Sequence, residues 1–368
     1  MEALQSPPKS PPVVHEGLDG ILVARTQLSE VDGERGELLV AGHPIEALAG
    51  SVSFEAVCGL LWDGALPSVE HRAELERQLG LARACAVPLV QRAIASMAGE
   101  PAMNVLRAAL SGLPEAATRF DVVATAGIVL VALARARRSA LLAEPDPARP
   151  HAEDLLRLLS GAEPTRARAA ALDAYLVTVA DHGLNASTFA VRVVASTGSD
   201  LVSAVTAGVG ALKGPLHGGA PGPVLDMLDA IGEVARARSW LAERLAAHER
   251  IMGMGHRVYR VRDPRAFVLE RALAELERAA RPERLAMARA VEAAATDLLD
   301  ERYPERRLRA NVEFYTAVLL EALAIPRELF SVAFAAARSA GWCAHFAEQR
   351  ASGRLIRPSA LYVGPRPS

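Results

Sequence analysis

From Ser53 to Glu348 apolar residues recur at spacings of three and four, through segments rich in Ala, Leu, Arg and Glu. These are strong helix formers, and the pattern predicts an all-α protein. The stretch Ser199–Ala220 can be followed residue by residue. Ser199 is placed to cap a helix, Asp200 suits its positive end, and Leu201, Val205, Gly208 and Leu212 form one buried stripe. Gly214 and Pro215 end the helix, which leaves His217 in the turn beyond, before Gly218, Gly219, Ala220 and a new helical pattern. The longest apolar run, Val122 to Ala134, is well short of the ~20 residues of a membrane span and predicts a buried core helix.

The helical pattern is bounded by different material. Residues 1–15, Pro-rich and without the apolar stretch of a signal peptide, read as a flexible leader. Ile21–Val23 and Glu37–Val40 are β-prone runs separated by Asp32-Gly33 and Gly36, which predicts a small N-terminal hairpin. Glu144–Pro150 and Gly161–Pro164 read as exposed connections, and Leu355–Ser368 as an extended tail able to reach a neighbouring subunit.

Composition narrows the function classes. A chain of 368 residues exceeds the ~250–300 that one core usually organises, so two lobes are expected. Aromatic residues make up only 4%, so Ala, Leu and Val must build the core. A net charge of −2 gives no footprint for nucleic acid or an anionic membrane, and anion binding must come from local Arg and His clusters. Three scattered cysteines, Cys58, Cys85 and Cys343, suit neither a disulfide framework nor a zinc site, and fit a reduced cytoplasmic setting.

Three polar clusters interrupt the Ala/Leu background. One joins Asp181–Thr188 to Gly214–Ala220, a second runs from Met252 through His256 and Tyr259 to Arg265, and the third is Asn311-Val312-Glu313 behind Arg306, Arg307 and Arg309. Taken singly each has a bland explanation. A histidine in a glycine-rich turn is usually structural, and Gly253-x-Gly255 follows a helical pattern where a phosphate loop follows a strand. An arginine run is usually a solvated face. No Cys or carboxylate partners stand at ligand spacing from His182, His217 and His256, so no metal is expected.

Together, in this order and at these intervals, the clusters resemble the signature segments of the citrate synthase family. The resemblance extends from Gly17–Gly20 through Leu61-Trp62-Asp63-Gly64 to Gly341–His345 and Leu355–Pro358. It implies a two-domain helical fold with a small N-terminal β-hairpin. Residues 16–218 and 325–368 would form the large domain and 219–324 the small one, closing over the substrates. It implies condensation of acetyl-CoA with oxaloacetate and hydrolysis of the citryl thioester, with acetyl-CoA as cosubstrate and no tightly bound cofactor. Two alternatives share these residues: 2-methylcitrate synthesis from propionyl-CoA, and a catalytically weak relative that binds CoA or dicarboxylates.

Carried onto this sequence, the resemblance makes Glu313 the base, His217 the donor to the thioester oxygen and His256 the donor to the oxaloacetate carbonyl. His182, Arg265, Arg338 and Arg357 would bind oxaloacetate, with Arg357 supplied across a homodimer. Met252, Gly253, Met254, Gly255, Arg260, Arg306 and Arg307 would hold CoA. Three positions depart from the usual pattern: Glu313 stands where Asp is customary, Gly183 where many relatives have Glu, and Pro221-Gly222 for a common Asn-Glu. The first matters most, because a displacement of order 1 Å in a catalytic group can cost ~100-fold in rate.

Overall fold

A computed structural model describes residues 13–18, 20–217, 221–278 and 283–367. Most of the leader and residues 218–220, where the expected domain boundary falls, lie outside the described residues. The rest is dominated by helices, as the spacing of apolar residues requires.

The apolar run Val122–Ala134 lies within the helix Arg119–Arg137 and is buried throughout. Thr118 and Asp121 close its N-terminus as a reciprocal capping box, so the entry point is fixed by two hydrogen bonds. Against it pack the helices Val69–Ser96 and Phe330–Ser352, the latter crossing the core and also touching Ala186–Ser196 and Leu201–Leu212. With aromatics scarce, small residues let backbones approach. A Cβ at Gly208 would lie 2.8 Å from Val191 and 3.3 Å from the Trp342 ring. The helix Pro264–Glu277 bridges Val312–Ala322 and Arg166–Val179. Among the described residues no helix is long and apolar enough to cross a membrane.

Three expectations are corrected. The N-terminal strands are Ser29–Asp32, Glu37–Val40 and His43–Pro44, an antiparallel sheet in which Ser29 faces Val40 and Asp32 faces Glu37. Ile21–Val23 is not a strand. Leu22 is almost fully exposed there and has no core to enter, whereas Asp32 ties down the turn by accepting from the Glu34 and Arg35 amides. Asp200, not Ser199, caps Leu201–Leu212, its carboxylate accepting the Ser203 amide at 2.9 Å. Leu201 is only partly buried, and Val202 and Val209 join the stripe. The connection Glu144–Pro150 is partly exposed, as expected, and is also pinned. Buried Arg83 donates to the Asp146 and Arg149 carbonyls and to Asp154, and Gly80 lets Pro147 pack onto its helix. The C-terminal segment 353–367 contains no helix or strand, in line with its sequence.

Candidate active site

Each of the three polar clusters folds into a loop-to-helix junction, and the junctions converge. Asn185 caps Ala186–Ser196 by accepting from the Ser187 and Thr188 amides. Asn311 caps Val312–Ala322 by accepting the Glu313 amide at 2.9 Å, while its side-chain amide donates to the Gly255 carbonyl. Asp263 caps Pro264–Glu277. An Asx cap fixes the first turn of a helix, so a residue placed there is held more rigidly than one on a free loop.

The segment Met252–Gly255 is zipped to the third cluster. The Gly253 carbonyl accepts the Asn311 amide, the Gly255 amide donates to the Arg309 carbonyl, and Met254 bridges Ala310. Gly253 and Gly255 have φ of 75° and 88°. A Cβ at Gly253 would come 2.8 Å from the Phe314 side chain, so glycine is required on both counts.

The two histidines expected to be donors are held in opposite tautomers. The Ser187 amide and hydroxyl lie 3.2 and 2.9 Å from Nε2 of His217. A backbone N–H can only donate, so Nε2 accepts and the proton sits on Nδ1. Trp342 supports this arrangement by donating to the Ser187 hydroxyl at 3.3 Å. In His256 the relation is reversed. Nδ1 accepts the Val258 and Tyr259 amides at 3.1 and 3.2 Å, and these two closer donors outweigh Arg265 Nη2 at 3.5 Å from Nε2, which leaves the proton on Nε2. Both rings stay neutral. Burial, with Arg338 and Arg257 adding, lowers the His217 pKa, and burial with Arg265 lowers that of His256 to about 4. Each is a hydrogen-bond donor without charge.

His182 is likewise kept neutral by burial and by Arg265, Arg338 and His256. Its Nε2 lies 3.1 Å from the Tyr259 hydroxyl and its ring meets His256 edge-on at 5.5 Å. Asp181, beside it, is deeply buried. Burial alone would raise its carboxyl, but His345, Arg338 and Ser29 outweigh that and hold it at about 2.

The arginines supply positive charge at the centre. Arg265 is buried, gripped by Asp263 through Nε at 3.0 Å and Nη2 at 2.7 Å, and it keeps Nη1 uncommitted among the described residues. Arg338 is buried, donates through Nε to the Val179 carbonyl at 2.7 Å and lies over the Phe334 ring. Its Nη2 is buried and has no hydrogen-bond partner among the described residues. Burial, with the Arg265 charge, lowers its pKa to about 10, partly offset by Asp181. An unsatisfied buried guanidinium is costly alone and suits an incoming carboxylate. Glu313 sits in the first turn of its helix with its carboxyl raised by burial, opposed by Arg265, and accepts no hydrogen bond among the described residues. A raised, unengaged carboxylate is the more effective base.

Of the residues singled out in the sequence, His182, His217, His256, Arg265, Arg338 and Glu313 are thus linked by contact or by charge. Arg357 is not among them: it is exposed on the C-terminal segment. Arg260, Arg306 and Arg307 are exposed. Arg306 lies over Tyr303 and Arg307 only 4.0 Å from Glu34. Motif reading located Ser187, Tyr259, Asp263, Asn311 and His345 without assigning them work. The usable signal was Asx directly ahead of an apolar helical run, which marks Asn185, Asp263 and Asn311 as caps.

Comparison with known proteins gives one answer. A family profile described as citrate synthase, C-terminal domain, matches residues 17–359. A curated citrate synthase of Haloferax volcanii is 40% identical, over 95% of this chain and 96% of its own length. The crystal structure of citrate synthase from Thermotoga maritima superposes with a TM-score of 0.84 at 31% identity, covering 97% of each chain. The citrate synthase of Thermoplasma acidophilum, solved as a ternary complex with carboxymethyl coenzyme A and oxaloacetate, superposes with a TM-score of 0.88 at 26% identity, again over 97% of each chain.

Proposed function

This chain belongs to the citrate synthase family and is a transferase of that type, and from this premise we propose how its residues divide the work. Glu313 removes a proton from the methyl group of acetyl-CoA. The electron pair left behind moves onto the thioester oxygen, which accepts a hydrogen bond from Nδ1–H of His217. The enolate carbon attacks the ketone of oxaloacetate, and the carbonyl oxygen, polarised by Nε2–H of His256, takes up a proton from solvent as the bond forms, balancing the methyl proton that Glu313 returns to solvent. Water then cleaves the citryl thioester and CoA leaves. The opposed tautomers carry this reading, since the reaction needs two neutral donors aimed at two different oxygens.

Arg265 and Arg338 bind the oxaloacetate carboxylates through the nitrogens they keep uncommitted, and His182 completes the seat. Arg357 acts in the cleft of a second copy, making a homodimer. The exposure of Leu355, Leu361, Tyr362 and Val363 along the same segment supports this. The backbone of Met252–Gly255 receives the adenine of CoA, and Arg260, Arg306 and Arg307 its phosphates. Residues 219–324 close over the substrates as the small domain, and three free cysteines fit a cytoplasmic enzyme. The test is oxaloacetate-dependent release of CoA from acetyl-CoA and propionyl-CoA. A higher specificity constant for acetyl-CoA is expected. Preference for propionyl-CoA would make the reaction methylcitrate synthesis, and no turnover with either would refute catalysis.

A further inference from the structure

We propose that the N-terminal sheet is a strut that sets the spacing of the His182 and His256 loops, with Ser29 and Gly33 as positioning residues. The inference rests on the function proposed above and concerns residues that the mechanism does not touch. The Ser29 hydroxyl donates to Asp181 Oδ2 at 2.5 Å and accepts the Gly183 amide at 2.7 Å, so it holds the chain on both sides of His182. The other oxygen of the same carboxylate lies 3.1 Å from Nε2 of His345, whose Nδ1 accepts Nε of Arg192 at 2.9 Å.

Four residues further along, the sheet meets the second loop. The Gly33 carbonyl accepts the Arg260 amide at 2.8 Å, and a Cβ on Gly33 would lie 2.1 Å from the Val258 carbonyl oxygen. Val258 and Tyr259 are the residues whose amides hold Nδ1 of His256. The turn is stiff, because Asp32 accepts the Glu34 and Arg35 amides and the Arg35 guanidinium. The contact between Tyr259 and His182 closes a ring of interactions: sheet, His182 loop, Tyr259, His256 loop, sheet. One short rigid element thus sets where the oxaloacetate-binding histidine stands relative to the carbonyl donor.

Ser29→Ala removes one tie on each side of His182 and is expected to raise KM for oxaloacetate about tenfold, with KM for acetyl-CoA within about twofold of wild type. Ser29→Thr, which keeps the hydroxyl, is expected to restore it. Gly33→Ala must displace the Val258 carbonyl by about 1 Å and is expected to lower kcat by up to about 100-fold. Melting temperature serves as the control for folding. Amide hydrogen exchange adds a readout that needs no substrate: Gly33→Ala is expected to speed exchange at Gly183, on the far side of the sheet, as well as at Tyr259. Acceleration confined to Tyr259, or an unchanged oxaloacetate KM in Ser29→Ala, overturns the strut. Absence of turnover in the wild type would instead refute the function, and the exchange measurement would still decide this inference.

Discussion

The opposed tautomers can be tested by replacing each histidine with the amide that copies one of its two nitrogens. The amide nitrogen of Asn stands near the position of Nδ1, and that of Gln near Nε2. At 217 the donor left available is Nδ1–H, because the Ser187 amide occupies Nε2. His217→Asn therefore keeps a donor toward the thioester and loses the acceptor for Ser187, whereas His217→Gln does the reverse. At 256 the roles exchange, since Val258 and Tyr259 occupy Nδ1. His256→Gln keeps the catalytic donor and His256→Asn loses it. Removing a donor aimed at a developing oxyanion costs about 100- to 1,000-fold in kcat, and an amide in roughly the right place is expected to recover about tenfold of that. The assay is oxaloacetate-dependent CoA release at saturating substrates, with melting temperatures to confirm folding. The predicted order is His217→Asn above His217→Gln, and His256→Gln above His256→Asn. The opposite order at either position would refute the tautomer assigned there.

Further predictions follow from the surrounding charges. Asp263→Asn leaves the buried Arg265 without its counter-charge, and breaking such a pair costs about 3–5 kcal/mol, so the melting temperature should fall and KM for oxaloacetate should rise by more than about tenfold. Asp173 is a carboxyl pushed up to about 7 by burial and by the charge of Glu55, with its oxygen accepting the Phe54 amide. Because its folded pKa is raised, the folded protein holds a proton that the unfolded chain releases, and stability falls as pH rises from about 4 through about 7. Asp173→Asn keeps the acceptor and removes the charge, so it should gain about 1 kcal/mol over wild type near pH 8 and little near pH 4, read from melting temperatures. Arg306→Ala and Arg307→Ala should each raise KM for acetyl-CoA severalfold, less at high salt, with KM for oxaloacetate unchanged. An equal effect on both substrates would remove these arginines from the CoA site.

Features governed by local chemistry were readable from the sequence. The buried helix around Val122–Ala134 follows from unbroken apolar character, and the helix starts at Asn185 and Asn311 from Asx residues ahead of apolar runs. The candidate base and donors were found through motifs whose order reflects a shared fold. What stayed hidden depends on contacts between distant segments. Ser29–Asp32 is too polar to read as a strand because Ser29 serves Asp181, about 150 residues away in the chain, and Asp32 serves the turn. The ties on the exposed connection Glu144–Pro150 were not legible because the group that pins it, Arg83, lies in another helix. The tautomers of His217 and His256 were equally out of reach, being set by backbone amides that only the fold brings to them.

The reaction as proposed turns on the Glu313 carboxylate, one methylene longer than an Asp, as the base. Its most direct test is the rate of oxaloacetate-dependent CoA release from acetyl-CoA by the wild type and by Glu313→Gln, which keeps the shape and removes the basic oxygen. Clear turnover by the wild type and a fall of about 100-fold or more in the variant are predicted, with KM for oxaloacetate little changed. A Glu313→Gln enzyme that turns over at the wild-type rate would show that Glu313 is not the base.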